Sequence, residues 1–170
     1  MLLTSSHIKE PGLNVLPPGV ERYVVNGGGL TGIQIFADDE IEIVNDEGNQ
    51  ICEICLFDSK GKSELGIFNL KENNNANGIK KILTNKDENS LIAKFQLKKR
   101  GLDLDKSKSS IIFSKDTKPG DNFKIKSKDS VYAIFSAPGQ NMLVHEQNPP
   151  TELTLFIKRN NIVDYKEHRI

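Results

Sequence analysis

The sequence has no tryptophan, two methionines, two cysteines and three histidines among its 170 residues. Two thiols are too few for a disulfide-stapled secreted scaffold. The histidines, at positions 7, 145 and 168, lie outside any zinc-type spacing with Cys52 and Cys55. No apolar run approaches the roughly 18 residues that a membrane-spanning helix needs, and Met1-Leu2-Leu3-Thr4-Ser5-Ser6 has neither a basic leader nor a long apolar stretch. These absences argue against membrane insertion and secretion, so the expected compartment is the cytoplasm. A sustained 3.6-residue apolar stripe is missing too, which disfavours a helical protein.

Net charge is zero overall, but its distribution is not even. Residues 1–80 carry 6 Lys/Arg against 12 Asp/Glu, and residues 81–170 carry 17 against 11. A basic half invites an acidic partner, yet no stacking aromatics interleave with these lysines and no recognition motif accompanies them, so no nucleic-acid partner is expected. Lys124, Lys126 and Lys128 alternate with Phe123 and Ile125, the pattern of a strand's solvent face, and Lys98-Lys99-Arg100 reads as a strand-to-turn junction.

What is present is period-two alternation. In Glu40-Ile41-Glu42-Ile43-Val44 the isoleucines face one way and the glutamates the other. Asn45-Asp46-Glu47-Gly48-Asn49 has turn chemistry and leads into Gln50–Phe57, an almost continuously apolar strand expected deep in the core. Together these predict a hairpin. Further strands are expected at Arg22–Val25, Gly32–Phe36, Leu91–Lys98, Ser110–Ser114, Asn122–Ile125, Val131–Phe135 and Leu153–Lys158, while Lys80–Leu83 fits a short helix or a strand equally. The Asn-rich stretch Lys71–Gly78 reads as a mobile loop. Ala37–Ile43 is echoed by Pro119–Ile125, each leading through a polar turn into an apolar strand. The expected fold class is therefore all-β, a β-sandwich or squat β-barrel built from two similar hairpin units packed face to face.

A chain of this length closes a single core. The pattern predicts an N-terminal arm over 1–12, a single β domain over 13–160 and a tail or linker over 161–170, with the unpatterned end suggesting a fragment of a longer protein.

Three constellations bear on chemistry. Cys52-Glu53-Ile54-Cys55 has CxxC spacing, but on a strand residues three apart project from opposite faces, so neither a metal nor a redox disulfide is expected. Gly27-Gly28-Gly29 follows a strand without the Lys-Ser/Thr or the helix that a phosphate loop needs, and reads as a tight turn. The long polar connection Ser136–Asn148 joins the last two strands, and loops at the end of a β scaffold often bind ligands. Gln140, Asn141, His145 and Glu146 are its candidate ligand contacts. No nucleophile completes a triad with His145, so no catalytic residue and no metal ligand is assigned.

Ala37 to Asp58, with its strand, Asn-x-Glu-Gly-x-Gln turn and apolar strand ending in Phe-Asp, resembles the opening of the urea carboxylase-associated family, whose members carry Asp-x-Glu-Gly-Gly-Gln there. Val131–Pro138 and Leu153–Ile157 resemble that family's closing segment. The family's His-Asp and cysteine set has no counterpart over Lys71–Asp116, and Ala137 stands where a cysteine is common, so no metal site is carried over. Similar domains occur in aminomethyltransferase-like proteins of the glycine cleavage type. The resemblance thus implies a non-catalytic accessory domain, acting in docking, assembly or substrate presentation for one-carbon transfer. It needs no cofactor of its own, and tetrahydrofolate is expected in a downstream catalytic domain. That downstream domain, or a second copy of the chain, is the expected partner. The alternative is a free-standing β-barrel of the same family that binds a small molecule or acts on it.

Overall fold

The computed structural model describes residues 16–114, 116–139 and 149–161. The strands are β1 (Val20–Val25), β2 (Leu30–Ile35), β3 (Glu40–Asn45), β4 (Cys52–Phe57), β5 (Ser109–Ile112), β6 (Asp121–Lys126), β7 (Val131–Ser136) and β8 (Leu153–Lys158). A 3-10 turn at Leu65–Phe68 and the helices α1 (Gly78–Thr84) and α2 (Glu88–Lys99) fill the connection from β4 to β5.

Strand β1 pairs with β8, β2 with β7, β3 with β6 and β4 with β5, all antiparallel. This is one long two-stranded ribbon doubled back at the β4–β5 connection. Rolling the ribbon brings β3 against β8 and β4 against β7 as well. Two four-stranded sheets result, β1-β8-β3-β6 and β2-β7-β4-β5, in jelly-roll order. The all-β sandwich expected from the alternation is the architecture found.

The two inner faces form the main core. Ile41, Ile43, Leu153, Leu155 and Ile157 of the first sheet meet Ile35, Ile54, Leu56, Ala133 and Phe135 of the second. Each large apolar side chain removed from water here contributes about 1.5–3 kcal/mol. Every residue of β4 is buried, as its apolar run implied. Its second face lies under the helices, where Ile79, Leu83 and Leu97 pack on Cys55, Phe57 and Ile134. The outer face of the first sheet stays in water, with Lys124 beside Glu42 at 3.7 Å and Lys126 also exposed. No helix among the described residues is long and apolar enough to cross a membrane.

Three expectations are corrected. Strands β3 and β4 do not form a hairpin, because they belong to different sheets and the turn between them is an arch across the sandwich. The turn chemistry is real, with Gly48 and Asn49 at φ of 75° and 57°, but its hydrogen bonds run to distant segments. Asn49 N–H donates to Thr117 O at 2.8 Å, and Gly120 N–H donates to Asn45 O at 2.8 Å. The echoed units do not pack face to face either: β3 lies beside β6 in one sheet and β4 beside β7 in the other.

The third correction concerns Leu91–Lys98, which is helix α2 rather than a strand. Its apparent alternation misleads because Leu91, Ile92 and Phe95 are 54%, 48% and 68% exposed, so no buried sheet face selects period two. Local chemistry decides instead. Asp87 caps the helix, accepting from Ser90 N–H at 2.9 Å and Ser90 Oγ at 2.9 Å. Lys98-Lys99-Arg100 accordingly closes a helix, where cations favour the negative end of the dipole. Lys80–Leu83, open on sequence, falls within α1.

One ionic clasp joins β1, the turn before β3 and the residue that follows β8. Arg159, just past β8, donates through Nε to Glu21 Oε2 at 2.8 Å and through Nη2 to Glu21 Oε1 at 2.9 Å. Its Nη1 donates to Asp39 Oδ2 and Gln34 O, both at 2.8 Å. The Arg159, Glu21 and Asp39 side chains are only 8%, 10% and 2% exposed. Burial works against the guanidinium charge, but the bonds to Glu21 and Asp39 outweigh it and hold the group more firmly protonated than usual.

Arg159→Met should lower unfolding stability by about 3 kcal/mol or more, since it leaves two buried carboxylates without their cation; urea denaturation checks this. Gly48→Val should cost about 1–3 kcal/mol. Its φ is positive and a Cβ there would sit 2.6 Å from Thr117 O, so an unchanged melting midpoint would contradict the arch geometry.

Candidate functional site

Along β4 the side chains alternate between the two cores. Cys52, Ile54 and Leu56 enter the space between the sheets, whereas Cys55 and Phe57 lie in the cluster beneath the helices. The two thiols therefore lie on opposite faces of the strand, as their spacing required. Both are buried and free. Burial, with the Glu53 charge nearby, pushes the Cys52 thiol far up. Burial likewise raises Cys55 to about 11, against the opposing effect of Ser109, whose Oγ lies 2.8 Å from its sulfur.

Glu53, between these cysteines, is the unexpected residue. It is 1% exposed, and its carboxylate reaches the first turn of α1, where Oε2 accepts from Ile79 N–H at 3.2 Å. Its Oε1 is buried and has no partner. A buried carboxylate oxygen without a donor is costly, because water that would solvate it has been removed. Glu53 lines a cavity of about 140 Å³ together with Gly28, Ile51, Gly78, Pro138 and Ile111. Exposed Asn75, Asn77, Lys81 and Asn85 surround its opening. Gly78 allows a close approach of α1 to Glu53 and Pro138: a Cβ there would lie 2.6 Å from Glu53 Oε2 and 2.5 Å from Pro138 Cβ.

The Asn-rich stretch that precedes α1 is a loop, as expected, and it is tied to the sandwich by Asn73 N–H donating to Ser109 O at 2.9 Å. Gln50 ties the same end of the molecule together. Its buried amide donates to Pro138 O at 2.9 Å and accepts from Thr151 N–H at 2.9 Å. These two partners stand on either side of the connection that carries Gln140, Asn141, His145 and Glu146. Those four candidate contacts lie outside the described residues; Gly139, just before them, lines the Glu53 cavity. Gly27–Gly29 forms the tight turn expected, with Gly28 at φ 77° and Gly29 N–H donating to Asn26 O at 2.9 Å.

A larger open cleft of about 600 Å³ runs beside β1 and β2, lined by Tyr23, Gln34, Phe36 and Arg159. Its buried charges are bonded to one another in the Arg159 clasp, and none of its lining residues is among the buried polar side chains left without a partner. Tyr23, pushed up to about 12 by burial and by its hydrogen bond to Glu21, stays a phenol. Among the described residues no group of three or more His, Cys, Asp and Glu is arranged to hold a metal ion.

Sequence reasoning passed over Glu53 while weighing the cysteines around it. The available signal was a single charge inside the run Ile51–Phe57. A charge there must be buried on one face or the other.

No family model matches the chain. Over 154 residues, 91% of its length, it is 33% identical to a protein of Ruegeria pomeroyi named trimethylamine-oxide aldolase. The chain spans about one-fifth of that relative's length, 20%. This finding overturns the expected role as an accessory domain of an aminomethyltransferase-like protein, because the relative is named for a lyase rather than a transferase. It favours the alternative, a free-standing β-barrel that binds a small molecule or acts on it, over that main reading.

In the folded protein neither cysteine should react with a thiol reagent at pH 8, and both should react in denaturant. Because Cys55 ionises near 11 when folded but near its ordinary value of about 9 when unfolded, the unfolded state loses its proton first. Stability should fall between pH 9 and 11, and Cys55→Ala should lessen that fall in melting curves, the remainder belonging to Cys52, whose thiol is also pushed up by burial.

Proposed function

We propose that this chain is a small-molecule-binding jelly-roll domain that takes part in aldolase-type cleavage of a small methylated amine oxide. The observation that carries the reading is the 33% identity to trimethylamine-oxide aldolase, which extends over 91% of the chain. The resemblance of Ala37–Asp58 to the urea carboxylase-associated family belongs to the same proposal, with the turn before Gln50 as the structural element that carries it. A cavity of about 140 Å³ suits a ligand of a few heavy atoms and is too small for a pterin.

The chemistry is bounded by atom balance. An aldolase-type cleavage of trimethylamine N-oxide can release its carbonyl fragment only from a methyl group, as formaldehyde, leaving dimethylamine. One N–C bond and the N–O bond break, the carbon–oxygen double bond forms, and one methyl hydrogen ends on nitrogen. The methyl carbon is oxidised as the N–O bond is reduced, so no external oxidant or reductant enters. Such a reaction needs a small, shielded pocket and a carrier for one proton.

Trimethylamine N-oxide incubated with the purified chain should yield formaldehyde and dimethylamine in equal amounts by proton NMR. Absence of both products, together with no saturation-transfer signal from the N-oxide, would remove this reading.

A further inference from the structure

We infer that the outer face of α2 is a docking surface for a second copy of this chain, the two helices packing antiparallel about a two-fold axis. The inference is independent of the proposed reaction. Helix α2 carries apolar side chains on two sides. Leu97 is buried in the cluster with Cys55 and Phe57 of β4 and Ile134 of β7, whereas Leu91, Ile92 and Phe95 are exposed and belong to neither core cluster. A helix that is apolar all round is normally covered all round. At spacings of three and four residues these exposed side chains adjoin, so they make one patch rather than scattered surface contacts.

The order of residues along the helix selects the occupant. Glu88, Leu91, Phe95 and Lys98 follow the alternating three- and four-residue steps of a coiled-coil seam, with Ile92 and Lys99 beside it. In an antiparallel pair related by a two-fold axis, Leu91 of one copy lies against Phe95 of the other. The same register sets Glu88 opposite Lys98 and Asp87 opposite Lys99. The patch is therefore complementary to itself, apolar at its centre and oppositely charged at its two ends. A parallel pair would instead bring Lys98 and Lys99 onto their own copies. All four charged residues are exposed, and the ion pairs among the described residues use none of them. Antiparallel packing also sets each helix dipole against its opposite. A uniformly acidic partner, a lipid surface included, would meet Asp87 and Glu88 as like charges.

A contact made by one helix from each copy is small and belongs to the transient class, so half-dissociation is expected at about 10–100 μM. Sedimentation equilibrium of the purified chain across that range should show monomer and dimer in exchange. Phe95→Glu should weaken association about tenfold or more by placing a charge at the centre of the contact. The melting midpoint should change little, because Phe95 is exposed. Glu88→Lys and Lys98→Glu should each weaken self-association severalfold by setting like charges opposite one another, and an equimolar mixture of the two variants should recover the dimer as a heterodimer. That recovery is specific to the antiparallel register, and it keeps the test open if Phe95→Glu fails to fold. A chain that stays monomeric throughout, a dimer indifferent to Phe95→Glu, or a mixture that associates no better than its components would overturn the inference. A monomer that binds phosphatidylserine vesicles through Phe95 would give the face to a lipid surface and overturn it too.

Discussion

Strands joined by a short turn never lie side by side in this molecule, and the other features follow from that constraint. The arch from β3 to β4 crosses between sheets, so its backbone groups find partners more than sixty residues away, at Thr117 and Gly120. Antiparallel pairing links β1 to β8 and β2 to β7, near opposite ends of the chain. Such contacts bring loop-closure entropy to bear before any ladder stabilises the chain. The fold therefore relies on side chains that fasten separate segments at the edges of the sandwich, of which Arg159 and Gln50 are the clearest.

These fasteners are satisfied, whereas Asn45 Oδ1, Glu53 Oε1 and Thr151 Oγ1 are buried without a partner among the described residues. Arg159 is surrounded by two carboxylates and a carbonyl, and its charge costs little once paired. Gln50 uses both ends of its amide on backbone groups. Glu53 has one oxygen bonded and the other buried without a partner among the described residues. Burial makes that missing bond costly, because water cannot replace it there.

The site also explains why the layer of helices matters. Without α1 and α2 the outer face of β4 would be open to solvent, and Glu53 would be an ordinary hydrated carboxylate. The helices cover Cys55 and Phe57 with Ile79, Leu83 and Leu97, and that apolar cover makes the neighbouring carboxylate scarce in partners. Similarity to trimethylamine-oxide aldolase runs through nearly all of this chain.

The sequence by itself determined the strands, because period-two burial is written residue by residue: Ile41 and Ile43 inward, Glu40 and Lys124 outward, β4 buried on both faces. It determined that Cys52 and Cys55 part company, since a strand sends residues three apart to opposite sides, and it located the left-handed turn at Gly48. It did not determine which strands pair, because alternation specifies a face and not a neighbour, so an arch read as a hairpin. It misassigned α2, where Leu91, Ile92 and Phe95 are apolar without being buried, and burial is the cause of the pattern being read. Only the tertiary structure decided what Glu53 does. The charge is visible in the sequence, but its setting depends on α1 closing over it, on Gly78 allowing that close approach, and on no other described residue supplying a donor for its second oxygen.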